Sequence, residues 1–170
     1  EKKDGDMDSR DILTIKGLIR RGEARTASSY NNIPLDRVHF LDLPFYETGK
    51  IQKNPISEAD VEIVRNLLRE IKPHQIFVAG DLADPHGTHR VCTDAVFAAV
   101  DLEKEEGAKW LKDCRIWMYR GAWAEWEIEN IEMAVPISPE ELRAKRNSIL
   151  KHQSQMESAP FLGNDERLFW

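Results

Sequence analysis

Gln75-Ile-Phe-Val-Ala-Gly-Asp-Leu-Ala-Asp-Pro-His-Gly-Thr-His-Arg-Val91 is the stretch that decides the fold. Ile76 to Ala79 is a short apolar run rich in strand formers, the length of a buried parallel strand, and Gly80 closes it. Asp81, Asp84, His86 and His89 then arrive within nine positions. From Val91 the apolar residues Val91, Cys92, Ala95, Val96, Ala99 and Val100 recur at helical spacing. The stretch predicts strand, turn and helix, with two carboxylates and two imidazoles on the turn. In open α/β sheets ligands bind outside the carboxyl ends of the strands, which is where this turn lies.

The turn supports two readings. Asp84-Pro85 suits an N-cap followed by proline at the first helical position. His86 and His89 then stand three apart on one helix face, and His89 continues the apolar row through Cys92 and Val96, which points it inward. In the plain reading Asp84 caps, His89 packs and His86 is solvated. In the other the turn is a site: the imidazoles face a ligand, Asp81 and Asp84 orient them, and Asp81 or Asp84 is itself a possible metal ligand.

Composition narrows the class. A chain of 170 residues is long enough for one domain with a core, and its 41% hydrophobic and 32% charged residues are ordinary for a soluble globular protein. No apolar run reaches the length of a membrane span, and Glu1-Lys-Lys-Asp-Gly-Asp6 is too polar for a signal peptide. A net charge of -6 argues against a general nucleic-acid surface. Cys92 and Cys114 have neither metal-type nor disulfide-framework spacing and read as reduced thiols of a cytoplasmic protein.

Around the central stretch the elements alternate. Residues 1–10 read as a polar, mobile end. Asp11 to Ser29 predicts a helix with Ile12, Ile15, Leu18 and Ile19 on one side, followed by a turn at Asn31-Asn-Ile-Pro34. Val38 to Leu41 predicts a short strand, and the loop after it holds Asp42, Tyr46 and Glu47. Asp42 is taken there as a substrate contact, and Glu47 as a solvated residue beside loop packing by Phe45 and Tyr46. Ser57-Glu-Ala-Asp60 is a capping-box-like start to a helix ended by Pro73. The central helix runs to about Leu102. Glu103 to Gly107 reads as charged and exposed, Ala108 to Asp113 as a short helical turn, and Ile116 to Tyr119 as another strand. Trp123 and Trp126 lie in the loop after it, where they either stack on a sugar or pack the loop or an oligomer contact. Met133 to Ile137 predicts a last strand. Ser138-Pro-Glu-Glu141 opens a helix running to about Gln155, and Ser158 to Trp170 reads as loop. Strands alternating with helices predict an α/β protein with a mostly parallel sheet, residues 11–170 forming one domain.

His86-Gly87-Thr88-His89 resembles the His-Pro-Asp-His segment of the PIG-L/LmbE family of zinc-dependent de-N-acetylases; both histidines match and the middle pair departs. Phe40-Leu-Asp-Leu-Pro-Phe-Tyr-Glu-Thr-Gly49 and Ala79-Gly-Asp-Leu-Ala-Asp-Pro-His-Gly-Thr-His89 look similar to one subgroup, fused behind a glucosamine-6-phosphate deaminase (isomerase) domain. This resemblance implies a Rossmann-like three-layer sandwich. It implies that His89 is a zinc ligand and that His86 is the catalytic histidine, polarising the carbonyl, holding the oxyanion or protonating the leaving amine. Arg20-Arg-Gly-Glu23 resembles the family's Arg-x-x-Glu pair, which makes Arg20 a substrate contact; an ordinary charged helix face is the other reading. Lys151-His-Gln-Ser-Gln155 resembles the ending of the family's late helix and reads as structural, with His152 a lesser site candidate.

Hydrolysing an acetamide near neutral pH needs an activated water, a base for its proton and a donor for the oxyanion; a zinc with an open position lowers the bound water's pKa to about 7. Family members carry a His-Pro-Asp-Asp segment that supplies two zinc ligands and the base, and this sequence has no such segment. The expectation is therefore a chain that starts after the first two strands of its domain. The parent protein is expected to be a zinc hydrolase acting on an amino sugar or sugar phosphate as a homo-oligomer, and this chain alone to bind zinc poorly and hydrolyse nothing. The alternative is a non-catalytic module, sensing sugar phosphates or setting oligomer contacts for a deaminase domain. A third reading, a two-histidine phosphoesterase, rests on His86-Gly-Thr88 and lacks the second motif that chemistry needs.

Overall fold

The structure is a computed structural model that describes residues 8–46, 53–80, 87–120 and 126–156. Among these the chain is a mixed α/β protein with four α-helices and a two-stranded parallel sheet. Contacts divide it into two compact units, Leu41–Ile131 and a second assembled from Glu1–Phe40 and Glu132–Trp170. Among the described residues no helix is long and apolar enough to cross a membrane.

The Leu41–Ile131 unit holds the sheet. Helix α2 (Glu58–Ile71) starts as its sequence predicts: Ser57 is the N-cap, and the Asp60 side chain closes a capping box. Asp60 is fully buried, and its second carboxylate oxygen accepts from the Phe45 N–H at 2.9 Å. The helix ends at Lys72, in the left-handed region at φ 48°, immediately before Pro73. Strand β1 (Gln75–Ala79) pairs in parallel with β2 (Arg115–Tyr119), from Gln75 opposite Arg115 to Ala79 opposite Tyr119. Helix α3 (Thr88–Glu105) makes the crossover between them.

The core forms where α2 meets α3. Val61, Val64 and Leu68 pack on Ala95 and Ala99, with Leu41, Leu43, Ile56, Ile76 and Trp110 around them. Ala95 and Ala99 are one turn apart and wholly buried, so the small side chains let the two helices approach closely. The Thr93 hydroxyl donates to the Ala79 carbonyl at 2.8 Å, tying α3 to the end of β1.

One charge run differs from its sequence reading. Glu103 is buried rather than exposed, because Arg65 and Arg69 of α2 both donate to its Oε1, at 2.7 and 2.6 Å. Glu106 closes the cluster by pairing with both arginines. The partners lie 38 and 34 residues away, so nothing local in the run reveals them.

The other unit is helical. Helix α1 (Arg10–Tyr30) starts at the N-cap Ser9, and α4 (Pro139–Ile149) starts at the predicted Ser138–Glu141 capping box with proline in the first turn. Asn31 Nδ2 donates to Ser148 Oγ at 2.8 Å and Asn147 Nδ2 to the Tyr30 hydroxyl at 3.0 Å, pinning α1 to α4. Arg21 and Arg25 flank the Phe40 ring at 5.4 and 5.5 Å. Among the described residues of this unit Ala27 is the one buried hydrophobic, and Ile12, Ile15, Leu18 and Ile19, on the predicted apolar side of α1, are exposed.

Several elements differ from the sequence reading. Val38 to Leu41 and Met133 to Ile137 are not strands: neither finds a partner ladder among the described residues, and Pro136 has no N–H to give one. Helix α4 stops at Ile149, and a separate 3-10 turn covers Gln153–Gln155. Residues 1–7, 47–49 and 158–170, read as polar end, loop and loop, lie outside the described residues.

Candidate functional site

The carboxyl ends of the two parallel strands build the site's floor. Past the last strand pair, the Gly80 N–H donates to the Tyr119 carbonyl at 2.7 Å, extending the ladder by one residue. A Cβ on Gly80 would lie 2.9 Å from both Met118 Cβ and Trp126 Cζ2, so only glycine fits there. Trp126 Nε1 donates to the Met118 carbonyl at 3.0 Å. The Arg120 guanidinium lies over the Trp126 ring, 3.8 Å from its centroid, and its Nε donates to the Gly80 carbonyl at 3.1 Å. For Trp126 this is the loop-packing reading, with one ring face against a cation and the indole N–H bound to backbone. Trp123 lies outside the described residues.

The turn leaving β1 was expected to cap α3 at Asp84. The cap is instead Gly87, in the left-handed region at φ 68°, and the helix begins at Thr88. Glycine adopts that φ without steric cost, and this moves the start three residues beyond the Asp84-Pro85 signal. Asp81, Asp84 and His86 lie outside the described residues. His89 is on the first turn of α3 and exposed, not directed inward. The buried residues of α3 are Thr93, Ala95, Ala99 and Glu103; His89 stands one turn before Thr93, on the opening turn of the helix, and is exposed there. Cys92 is exposed as well, and both cysteines are free thiols, as read from the sequence.

The remaining predicted residues separate. Asp42 belongs to the same unit as His89, exposed, with its backbone in the left-handed region at φ 50°. Tyr46 packs edge-on to Phe45 with the Lys53 ammonium 3.8 Å from its ring centroid, and Glu47 lies outside the described residues. Arg20 belongs to the other unit, on α1. With the Gln155 amide turned so that its oxygen faces α1, that oxygen accepts from Arg20 Nε and a terminal nitrogen at 2.8 and 2.9 Å. One turn on, the Glu23 carboxylate accepts from the Ser154 N–H and hydroxyl, both at 2.6 Å. The Ser154 hydroxyl, then its backbone N–H, hold the Glu23 carboxyl below its ordinary value. The two sequence segments Arg20-x-x-Glu23 and Ser154-Gln155 are thus each other's partners. His152 is half-buried and precedes the 3-10 turn that brings Ser154 to Glu23.

Zinc is the metal that the sequence resemblance implies. Among the described residues no group of three or more His, Cys, Asp or Glu side chains is arranged to hold a metal ion. His89 alone does not make a zinc site. Arg120 and the glycine seat beneath it are the part of this floor that the sequence reading missed. The available signal was register: in a parallel pair, the residue after each strand leaves the sheet at the same height, which sets Arg120 beside Gly80.

No solved structure matches the chain. The family model described as PIG-L, GlcNAc-PI de-N-acetylase, matches residues 2–100, which include α1, α2, β1, the turn and most of α3. That match spans more than half of the chain, and the protein belongs to the PIG-L family of de-N-acetylase-type hydrolases.

Proposed function

We propose that the chain is part of a zinc-dependent hydrolase that removes an N-acyl group from an amino sugar of the N-acetylglucosamine type. The observation that carries this reading is the family match across residues 2–100, which takes in the His86-Gly-Thr-His89 turn. In this proposal residues 11–170 form one Rossmann-like domain, and the match crosses the boundary between the two compact units in its support. His89 contributes one zinc ligand from the first turn of α3, and His86 meets the substrate carbonyl or leaving amine. Asp81 and Asp84 orient the imidazoles, and Asp42 and Arg20 contact the sugar. The parent protein is proposed to carry a glucosamine-6-phosphate deaminase domain.

The test is zinc content together with acetate release from N-acetylglucosamine, for this chain alone and for the proposed longer parent protein. The chain alone is expected to take up less than one zinc and to release no acetate. The longer protein is expected to do both, and His89→Ala to cost it more than the roughly 10–100-fold in metal affinity that loss of an outer partner costs. Unchanged zinc affinity and rate in that variant would overturn the assignment.

One observation favours a second reading, a non-catalytic sugar-sensing or oligomerisation module attached to a deaminase. The apolar side of α1, Ile12 to Ile19, is exposed, as an assembly surface would be. A longer protein that binds no zinc and self-associates through this face would select that reading.

A further inference from the structure

We infer that α1 is a homodimer surface, on which a second copy of this chain lays its own α1, antiparallel, across a twofold axis at Leu18. The inference does not depend on the hydrolase reading, and it gives the exposed side of α1 one partner.

Helix α1 has two sides. On one, Ala27 is buried, and Tyr30 and the neighbouring Asn31 hold the end of the helix to α4. On the other, Ile12, Ile15 and Ile19 are exposed at intervals of three and four, the spacing of a seam between two helices. Gly22 and Thr26 continue that seam with small side chains. Leu18 borders it and is the most exposed large apolar residue of the helix, at 62%.

Charge selects a second copy as the occupant. Asp11, Leu18 and Arg25 are each seven residues apart, so they form one line beside the seam, and the two charged residues are exposed. Reversing a copy about Leu18 sets the two Leu18 side chains together and each Asp11 beside the other copy's Arg25. Ile15 then falls close to the second copy's Ile19, and Ile12 close to its Gly22, around which nothing stands within 4 Å of a Cβ position. The patch is thus complementary to itself, as an isologous dimer requires. One helix pair covers less than the roughly 800 Å² per partner of a standard interface, so the dimer is weak, with a Kd on the order of 0.1 mM. At the micromolar concentrations of a melt the chain is a monomer, and a change on this face costs folding little.

The test is sedimentation equilibrium of the full chain from well below to well above about 0.1 mM. The 19.6 kDa chain should pass from monomer to dimer mass over that range. Leu18→Ser should hold it at monomer mass throughout. Arg25→Glu sets acid against acid at both ends, and Asp11→Arg sets base against base; each should weaken association about tenfold or more. The double variant, which exchanges the two charges, should restore it. Circular dichroism checks that each variant folds, and the charge exchange carries the comparison alone where Leu18→Ser does not. A monomer at every concentration, a dimer untouched by Leu18→Ser, or a double variant as weak as the single ones would overturn the inference. Zinc content and acetate release enter none of these measurements, so its failure is distinct from failure of the hydrolase reading.

Discussion

The two compact units solve the problem of burial differently. The Leu41–Ile131 unit has a core of branched residues from α2 against alanines from α3, and it buries charge where it is ion-paired, at Glu103, or hydrogen-bonded, at Asp60. The unit built from the chain's two ends joins α1 to α4 through side-chain hydrogen bonds and leaves the apolar side of α1 exposed. Hydrogen bonds to water-accessible partners add about 1 kcal/mol each, whereas burial of a branched side chain adds roughly 1.5–3 kcal/mol. Stability should therefore be concentrated in the first of these units, and substitutions should be felt there.

The sharpest test of that contrast is Glu103→Ala. It leaves Arg65 and Arg69 with the exposed Glu106 as their shared carboxylate, a loss of about 3 kcal/mol, the low end for a buried pair, read by urea or thermal unfolding. A loss under 1 kcal/mol would show that the cluster is solvated and that the contrast is wrong.

Acid should act through the same groups. Burial alone would raise the Glu103 carboxyl, but hydrogen bonds from Arg65 and Arg69 outweigh it and hold it below its ordinary 4.5. Asp60 behaves alike: burial would raise it, and the Ser57 hydroxyl and the Phe45 and Ser57 N–H groups bring it below 3.8. Because both folded values are depressed, their stabilisation is complete above the ordinary carboxylate range and is lost as pH falls through it and below. Melting monitored by circular dichroism should therefore be flat near neutrality and fall once the medium is more acidic than about pH 4.5. In Glu103→Ala the acid-linked loss should shrink.

Gly80→Ala comes next. Its Cβ would overlap Met118 and Trp126, and overpacking of this kind costs about 1–3 kcal/mol. Trp126 fluorescence should shift with it, since the indole has to move. The smallest effect should be Leu18→Ser on the exposed side of α1, within about 0.5 kcal/mol of the parent. A large loss there would mean that this face is covered in solution, and the contrast between the units would fail from the other side.

Much of the fold was legible because its signals are local. The capping boxes at Ser57 and Ser138 and the apolar run of β1 need only neighbouring residues to be read, and all three elements begin where the sequence places them. Val38 to Leu41 and Met133 to Ile137 carry strand composition, but a strand is a relation between two segments, and composition does not supply the second. Glu103 misled for the same reason, since its charge is answered from another helix. At the candidate site, register was the missing step: the pairing of β1 with β2 is what sets Arg120 beside Gly80, and no spacing within either segment states it. His89 is on the opening turn of a helix after a strand, as its sequence places it, but its exposure depended on how early α3 begins. A glycine in a left-handed conformation overrode the Asp-Pro signal there.

The division of the chain also fixes an order of events during synthesis. Leu41–Ile131 is one continuous segment, and its α2–α3 core and its strand pair are available once residue 131 has left the ribosome. Helix α1 is made first, yet its contacts to Ser148 and Ser154 come from residues 117 and 131 positions later. It must therefore wait, apolar side uncovered, while the intervening body folds. Those two bonds close loops of 117 and 131 residues, and the entropic cost of such closure grows only slowly with length, which is why so distant a pairing is tolerated.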